Sequence, residues 1–152
     1  MIKNIFSEAV SNEVIERINC LKPSDQPLWG KMSADQVLAH CNVIYNFIFE
    51  PEKYSKPGFL KRFLLKTFVK KFVVNDKPYP KSSMTAPEFI IQNPQDFERE
   101  KQKLINNIQK VQKLGMHHFD GKENFSFGKM TSEEWNAMFY KHLDHHLKQF
   151  GV

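Results

Sequence analysis

Cysteine and long apolar runs are both scarce in this chain. The two cysteines, Cys20 and Cys41, lie in apolar surroundings and form no CxxC motif, whereas a secreted disulfide scaffold needs a larger and regularly spaced set. No stretch reaches the ~20 apolar residues of a membrane-spanning helix. The N-terminal stretch MIKNIFSEAVSNEVIERINC contains acidic residues and lacks the apolar centre of a signal peptide. We therefore expect a cytoplasmic protein in a reducing environment, without stable insertion into a membrane.

Motifs of several enzyme and binding classes are missing as well. The sequence contains no glycine-rich phosphate loop, no GxSxG nucleophile motif, no paired-carboxylate motif and no helix-turn-helix pattern. Basic and aromatic residues do not form the pattern of a nucleic-acid platform either. The sequence thus gives no support for a phosphate-loop protein or a serine hydrolase, and we expect no nucleic-acid partner.

What is present is the composition of one globular domain. The chain has 152 residues, of which 41% are hydrophobic and fourteen are Phe. A chain of this length can bury ~70% of the surface that its unfolded form exposes. We therefore expect residues 1–152 to form a single domain with its own hydrophobic core.

Apolar residues recur at helical spacing in five segments, and no segment shows the convincing alternation of a strand. The five segments are residues 11–21, 33–51, 58–74, 93–115 and 131–152. Two of them open with the same short signal, GKMS at 30–33 and GKMT at 128–131. Ser33 with Gln36, and Thr131 with Glu134, have the spacing of capping boxes. The pattern predicts an all-α fold.

Three of the six histidines fall within residues 142–146. His142 and His146 are four residues apart and project from one face of a helix, whereas His145 is turned by ~100° from His146. Two imidazoles at this spacing can present two nitrogens to one metal ion. The spacing is also common in solvated helix ends, so the pair alone leaves both interpretations open.

His40 lies on the apolar stripe of the second segment, between Val37 and Ile44. It is ~10 Å from the start of its helix, and the midpoint of His142 and His146 is ~9 Å from the end of theirs. If the two helices are antiparallel, the three imidazoles meet at one level. If the helices are parallel, the level of His40 and the level of the His142 and His146 pair differ by more than one helical turn. The coincidence favours an antiparallel pair and a metal site over a core histidine.

Three imidazole ligands without a fourth protein ligand are typical of an open, catalytic-type metal site. Zn²⁺ or Ni²⁺ suits imidazole best, with Cu²⁺ and Fe²⁺ as alternatives. We expect one divalent ion at His40, His142 and His146. The sequence identifies no catalytic residue beside them.

The stretches WGKMSADQVLAHCNVIYN, SSMTAPEF and FGKMTSEEWNAMFYKHLDHHLKQFGV resemble the DUF1569 branch of the DinB-like superfamily over nearly the whole chain. The resemblance implies a four-helix bundle of up-down-down-up order, here with an extra short basic helix, and a three-histidine metal site at one end. Carried over, the ligands are His40, His142 and His146. Gln149 matches a glutamine that commonly follows the last ligand. The implied helix order also makes the second and last helices antiparallel.

The chain departs from the family pattern just before its last helix. Relatives often carry His-Pro shortly before the FGK turn, where this chain has Asn124 and Phe125. His117 and His118 lie upstream, in the longer loop MHHFDGKENF. Either one of them replaces the missing histidine or both are solvated loop residues, and the second interpretation is the simpler one.

Positive charge is concentrated in one part of the chain. Residues 52–81 contain nine Lys or Arg and two acidic residues, against a net charge of +5 for the whole chain. Segment 58–74 has an apolar row and a basic row: Leu60, Leu64 and Phe68, and Arg62, Lys66 and Lys70. We expect the apolar row to contact the bundle and the basic row to face solvent, in an ordinary bundle helix or a lid. A membrane-surface or nucleic-acid element is the alternative.

Three residues near His40 are further candidates. Cys41 cannot share the direction of His40 from the next position, and we expect it to be a buried structural thiol. Tyr45 and Asn46 either line a pocket or belong to the core and the surface respectively.

Two classes of function follow. The first is a metal-dependent enzyme, either a hydrolase that uses a metal-activated water or a thiol transferase, the latter implied by analogy with the wider superfamily. The second is a non-catalytic metal-binding or stress-response protein. We expect a small-molecule substrate, with low-molecular-weight thiols among the candidates, and the sequence leaves a homodimer open.

Overall fold

The structure, a computed structural model, describes residues 2–83 and 85–152, so that Met84 of the SSMTAPEF stretch lies outside the described residues. These residues are mostly helical. The α-helices are α1 (Glu8–Cys20), α2 (Ala34–Phe49), α3 (Phe59–Leu64), α4 (Lys70–Val74), α5 (Phe97–Phe119) and α6 (Ser132–Gln149). A π-helical turn, Leu65–Val69, joins α3 to α4, and 3₁₀ turns occupy Pro51–Lys53 and Pro87–Phe89. The predicted all-α character is confirmed.

All five predicted segments are helical, with shifted ends. Helix α1 starts before the predicted boundary because Ser7 is its N-cap and accepts a hydrogen bond from the Val10 amide. Gly115 adopts a positive φ of 73° inside α5, as a helix-ending glycine does, but the chain resumes a helical turn after it. Helices α2 and α6 begin directly after Ser33 and Thr131, as predicted.

One feature contradicts the expectation that no strands occur. A two-residue antiparallel pair, β1 (Glu123–Asn124) with β2 (Gly128–Lys129), precedes α6. The Asn124 side chain accepts hydrogen bonds from the amides of Ser126 and Phe127 at 2.9 and 3.1 Å and so closes the turn. Strands of two residues are too short to show an alternating pattern in the sequence.

Aromatic residues from α1, α2, α5 and α6 form much of the core. Tyr45 of α2 stacks on Phe139 of α6 at 5.4 Å between ring centroids, and Phe119 of α5 lies 5.5 Å from Trp135 of α6. Trp135 and Phe119 are fully buried. Because each such ring removes ~150–250 Å² from water, we expect this core to keep the fold stable when no metal is bound.

Helices α2 and α6 run in opposite directions where they meet. His40 of α2 lies beside His142 and His146, and Tyr45, further along α2, lies beside Phe139, which is earlier in α6. Moving forward along one helix therefore means moving backward along the other. This arrangement brings the N-terminal half of α2 next to the C-terminal half of α6.

Residues 51–83 and 85–92, which we name the covering segment, lie over this end of α2 and α6. The sequence-based prediction was wrong for the apolar row, and for the basic row it is confirmed only at Lys66. Leu60, Leu64 and Phe68 are exposed by 70%, 47% and 67% and do not form the contact with the bundle. The inward apolar contacts come instead from Leu65, Val73 and Val74, which pack against the core.

Two of the three residues of the basic row are partly buried and form ion pairs with acidic residues outside the covering segment. Arg62 forms an ion pair with Glu123 of β1, and Lys70 forms one with Glu134 of α6 at 2.7 Å. Lys66 stays exposed. Among the described residues, no helix combines the length and the apolar character needed to cross a membrane.

Candidate metal centre

Three histidines converge where α2 meets α6. His40 comes from α2, and His142 and His146 come from successive turns of α6. One ring nitrogen of each lies within 4.8 Å of those of the other two, and Nε2 of His40 is 3.0 Å from Nε2 of His142. The structure thus brings together the three residues that the sequence singled out.

Protein acceptors fix the orientation of two of these rings. Nδ1 of His40 lies 2.8 Å from the carbonyl oxygen of Phe89, in the 3₁₀ turn of the covering segment. A carbonyl oxygen only accepts, so this nitrogen carries the proton, and Nε2 keeps its lone pair. A metal-binding histidine typically donates its other N–H to such a partner.

His146 is held in the same way through a side chain. Its Nδ1 lies 2.8 Å from Oε1 of Gln149, whose Nε2 donates to the carbonyl oxygen of Trp29 at 2.6 Å. The carbonyl sets the orientation of the Gln149 amide, which in turn leaves Nε2 of His146 as the lone-pair nitrogen. Gly30 makes room for this amide: at its φ of 82°, a Cβ would lie 2.7 Å from Nε2 of Gln149.

Burial keeps the cluster uncharged. His40 and His146 are 4% and 9% exposed, and His142 is of intermediate exposure. Burial lowers the pKa of His40, and burial together with the unfavourable placing of a second positive charge beside His40 lowers the pKa of His146 to about 3. Burial and the neighbouring histidines lower the pKa of His142 well below its ordinary value. All three imidazoles are therefore neutral at pH 7, the form that binds metals.

The donor set fits a divalent transition metal. The cluster consists of imidazoles alone among the described residues. Cys41 belongs to the hydrophobic core, where burial raises the pKa of its thiol, as expected for a structural cysteine. Three imidazole ligands are typical of catalytic zinc sites, whereas structural zinc sites use four protein ligands. Without a metal, Nε2 of His142 can donate to Nε2 of His40 across their 3.0 Å separation.

The cluster borders a cavity of about 840 Å³ between the helices and the covering segment. The helix side and the turn before α6 contribute Ile44, Phe47, Phe125, Phe127 and Met138, and the covering segment contributes Leu65, Val69, Phe72, Val73 and Tyr79. The site is therefore the polar end of a mostly apolar chamber.

The other histidines lie apart from the cluster. His145 is half-buried between Trp29 and Tyr79, at 5.7 and 5.8 Å between ring centroids, and borders the cavity without joining the three. His117 and His118 are exposed, and His118 accepts a hydrogen bond from Nζ of Lys122 at 2.8 Å. Neither of them lines the cavity, which agrees with the simpler interpretation of two solvated residues.

Two further sequence candidates are placed elsewhere. Tyr45 belongs to the aromatic core, and Asn46 donates to the hydroxyl of Tyr54 at 3.2 Å. Neither lines the cavity. Asn124 and Phe125, the two residues that replace the His-Pro pair expected from the resemblance, both line the cavity, where Phe125 stacks on Phe47 at 4.6 Å.

Sequence reasoning missed a lysine that attaches the covering segment beside the site. Lys141 is 6% exposed, and its Nζ donates to the carbonyl oxygens of Val73 and Asn75 at 3.0 and 2.7 Å. Burial lowers its pKa to about 8. A lysine next to His142 in a helix gives no signal for such a role. The end of α4 before Asn75 was the one indication in the sequence, because the last carbonyl oxygens of a helix need hydrogen-bond donors from elsewhere.

Comparison with other proteins gave one family and nothing beyond it. Neither the curated proteins nor the solved structures contain a match. The family described as "Protein of unknown function (DUF1569)" matches residues 7–151. The match spans the three histidines, Gln149 and the whole covering segment, so that this chain belongs to the DUF1569 family.

Proposed function

We propose that the protein is a metal-dependent enzyme that binds one divalent ion through Nε2 of His40, His142 and His146. The observation that carries the proposal is the meeting of three neutral imidazoles at the end of an apolar cavity. Zn²⁺ and Ni²⁺ match imidazole ligands best. The cavity is where a small-molecule substrate would bind.

The chain's own residues perform three tasks in this proposal. The carbonyl of Phe89 and the amide of Gln149 hold the rings of His40 and His146 with Nε2 available. The covering segment excludes water from the cavity, and the apolar walls orient the substrate. A bound ion supplies acidification of a water or a thiol and polarisation of a carbonyl, so that hydrolysis and thiol transfer are the reaction classes we propose.

We also propose that the chain is a four-helix bundle of the DinB-like superfamily, with up-down-down-up order. Supporting contacts pair the end of α1 with the start of α5, through the bond from Lys101 to the carbonyl of Asn19. Helices α2 and α5 run in the same direction where they meet. Asn42 donates a hydrogen bond to the carbonyl of Glu100, and further along both helices Lys110 lies over the ring of Phe49.

We also propose a cytoplasmic location, which the two free cysteines support.

One observation favours a non-catalytic metal-binding protein as the alternative. The carboxylate among the described cavity residues, Glu88, is paired with Lys61 at 2.8 Å. The described chain therefore offers the site no unpaired carboxylate as a general base. An enzyme of this design has to rely on the ion for activation of its nucleophile, whereas a metal-storage or sensing protein needs no base.

Elemental analysis of protein purified without chelators tests the proposal. We expect about one equivalent of zinc or nickel per chain, by the ligand preferences above, and loss of that metal on dialysis against a chelator. A panel of ester and thiol-transfer substrates then separates the two classes, with the metal-stripped protein as the matched control. Absence of bound metal, before and after incubation with Zn²⁺ and Ni²⁺, would reject the site. Metal without turnover on the panel supports the alternative.

A further inference from the structure

We infer that the histidine site acts on a largely apolar, ring-bearing small molecule with a single polar reacting group. The inference rests on the proposed function, because it takes the histidine cluster as the reacting end of the cavity. The expected substrate is therefore an apolar compound. A small, highly charged metabolite is not expected to bind in this cavity.

The size of the cavity sets the first limit. Its volume of about 840 Å³ lies within the ~300–1,000 Å³ of sites that enclose most of a small organic ligand. A substrate the size of an amino acid or a short-chain ester would leave much of this space to water. The cavity therefore fits a ligand with at least two ring-sized parts.

The aromatic residues in the cavity walls indicate that the ligand is apolar. Aromatic pairs stand on both sides: Phe47 stacks on Phe125 on the helix side, and Phe72 stacks on Tyr79 in the covering segment at 5.6 Å. The hydroxyl of Tyr79 is already used, because it donates to the carbonyl of Val73 at 3.0 Å. Faces and edges of aromatic rings favour other rings, so that an aryl or similar cyclic group is the expected occupant.

The charged residues around the cavity are few. Lys61 and Glu88 neutralise each other, and Lys31 lines the cavity but is exposed and forms no ion pair within the described residues. A peptide-like thiol with several carboxylates would find at most this one lysine as a partner, so that its other carboxylates would leave water without matched partners, which costs free energy. Neutral polar side chains such as Gln36, Ser83 and Asn124 also line the cavity, but the three histidines form its cluster of possible metal ligands. The reacting polar group of the substrate is therefore expected at the histidine end.

Hydroxamates that differ in their apolar part test this class directly. Acetohydroxamate and biphenylhydroxamate carry the same metal-binding group, and calorimetry with the Zn²⁺-loaded protein gives both dissociation constants. We expect the biphenyl compound to bind at least about tenfold more tightly, which corresponds to ~1.4 kcal/mol. Glutathione serves as the charged thiol probe. Equal affinity of the two hydroxamates, or tighter binding of glutathione than of the biphenyl compound, would overturn the inference.

Two matched substitutions in the covering segment locate the binding. Leu65 lines the cavity, whereas Leu60 is 70% exposed on the outer side of the same segment. Leu65→Trp should fill the cavity and abolish the tighter binding of biphenylhydroxamate over acetohydroxamate. Leu60→Trp should leave this difference in affinity unchanged. Circular dichroism checks that both variants fold, and Val69→Trp replaces Leu65→Trp if that variant does not. A gain that survives every cavity-lining variant would place the probe elsewhere and refute the inference.

A probe without a metal-binding group separates this inference from the proposed function. Hydroxybiphenyl is titrated into metal-stripped protein, where only the cavity can hold it. Binding that Leu65→Trp abolishes supports the apolar class even if the protein never retains a metal, in which case the proposed function alone fails. Retained metal together with no binding of hydroxybiphenyl and no biphenyl gain refutes the substrate class and leaves the metal site standing.

Discussion

The histidine end of α2 and α6 and the covering segment face each other across one cavity, but they are built in opposite ways. On the helix side, His40, His146 and Gln149 are buried, and each has a hydrogen-bond partner within the protein. On the other side, Phe59 and Leu60 are 89% and 70% exposed. The first region is a rigid site, and the second is an amphipathic cover with its apolar row turned outward.

The difference indicates which region of the molecule is held rigidly and which can open. Buried and fully satisfied polar groups fix a single geometry, which a metal site needs. The covering segment is attached by ion pairs, such as Arg62 with Glu123 and Lys70 with Glu134, and by the buried Lys141. Exposed ion pairs contribute at most ~1 kcal/mol each, so we expect the cover to open more readily than the helices.

The largest expected effect comes from breaking the histidine end. His40→Ala, His142→Ala and His146→Ala should each weaken metal binding by more than ~100-fold, beyond the ~10–100-fold typical for loss of a partner outside the ligand set. His145→Ala should retain the metal, because its ring lies outside the cluster. Metal content by mass spectrometry measures the effect.

Circular dichroism of the same four variants provides the control, because the aromatic core should preserve their helicity. Equal loss of metal in His145→Ala would contradict the argument that one face of α6 carries the ligands. Full retention in His40→Ala would make His40 a core residue without a role in binding.

A pair of leucines sharpens the comparison for stability. Leu38 in α2 is 1% exposed, and Leu60 in the cover is 70% exposed. Leu38→Ala should lower the free energy of unfolding by about 2–5 kcal/mol, as truncation of a buried leucine does, whereas Leu60→Ala should change it by less than ~0.5 kcal/mol. Chemical denaturation measures both. A comparable loss for Leu60→Ala would mean that the outward row is buried in solution.

Acid should destabilise the metal-free protein through the histidine end. Burial holds the pKa of His40, His142 and His146 below the ~6.5 of the unfolded chain. The unfolded state therefore binds more protons than the folded state below that pH. Stability is fully present above pH ~6.5 and falls by up to ~1.4 kcal/mol per histidine for each unit below it.

Thermal unfolding of chelator-treated protein at two pH values checks this expectation. The midpoint should be lower at pH ~5.5 than at pH ~7.5, on either side of the ordinary histidine pKa. His146→Gln should show a smaller difference, because it removes one of the groups that titrate. A midpoint that does not change with pH in the original chain would contradict the depressed pKa values.

The smallest effect concerns the attachment of the cover. Lys141→Met removes the donor that Val73 and Asn75 share, and we expect amide hydrogen exchange in residues 70–76 to accelerate by about tenfold, the equivalent of ~1.4 kcal/mol. Lys148→Met is the matched control, since Lys148 lies in the same helix but is exposed and pairs with Asp144. Equal acceleration in both variants would exclude a specific role for Lys141.

Much of the histidine end could be predicted from sequence because its signals are local. The hydroxyl caps fix where α2 and α6 begin, and the 1.5 Å rise per residue then sets the depth of each histidine. The partners of the rings could not be predicted in this way. Phe89 and Trp29 contribute backbone carbonyls, which every residue type has, so their positions depend on tertiary structure.

For the covering segment, the sequence pattern predicted the helix but not which of its faces is buried. Its spacing correctly indicated a helix with two rows, but an amphipathic pattern does not tell which row faces inward when acidic partners exist elsewhere in the fold. Glu123 and Glu134 lie far away in sequence and attract Arg62 and Lys70. The inward face instead carries Leu65, Val73 and Val74 together with these ion pairs, and the ion-pair partners are distant in sequence, so that the local pattern does not contain them.

Gly30 links this geometry to the way the sequence can evolve. A side chain at that position would collide with the Gln149 amide, at a φ that residues with a Cβ rarely adopt. A residue with a Cβ at position 30 would displace the end of the Gln149 side chain, and His146 would then lose the acceptor that orients it. Positions 30 and 149 should therefore covary across the family, so that an alignment of DUF1569 sequences can reveal a dependence between two residues that are 119 positions apart.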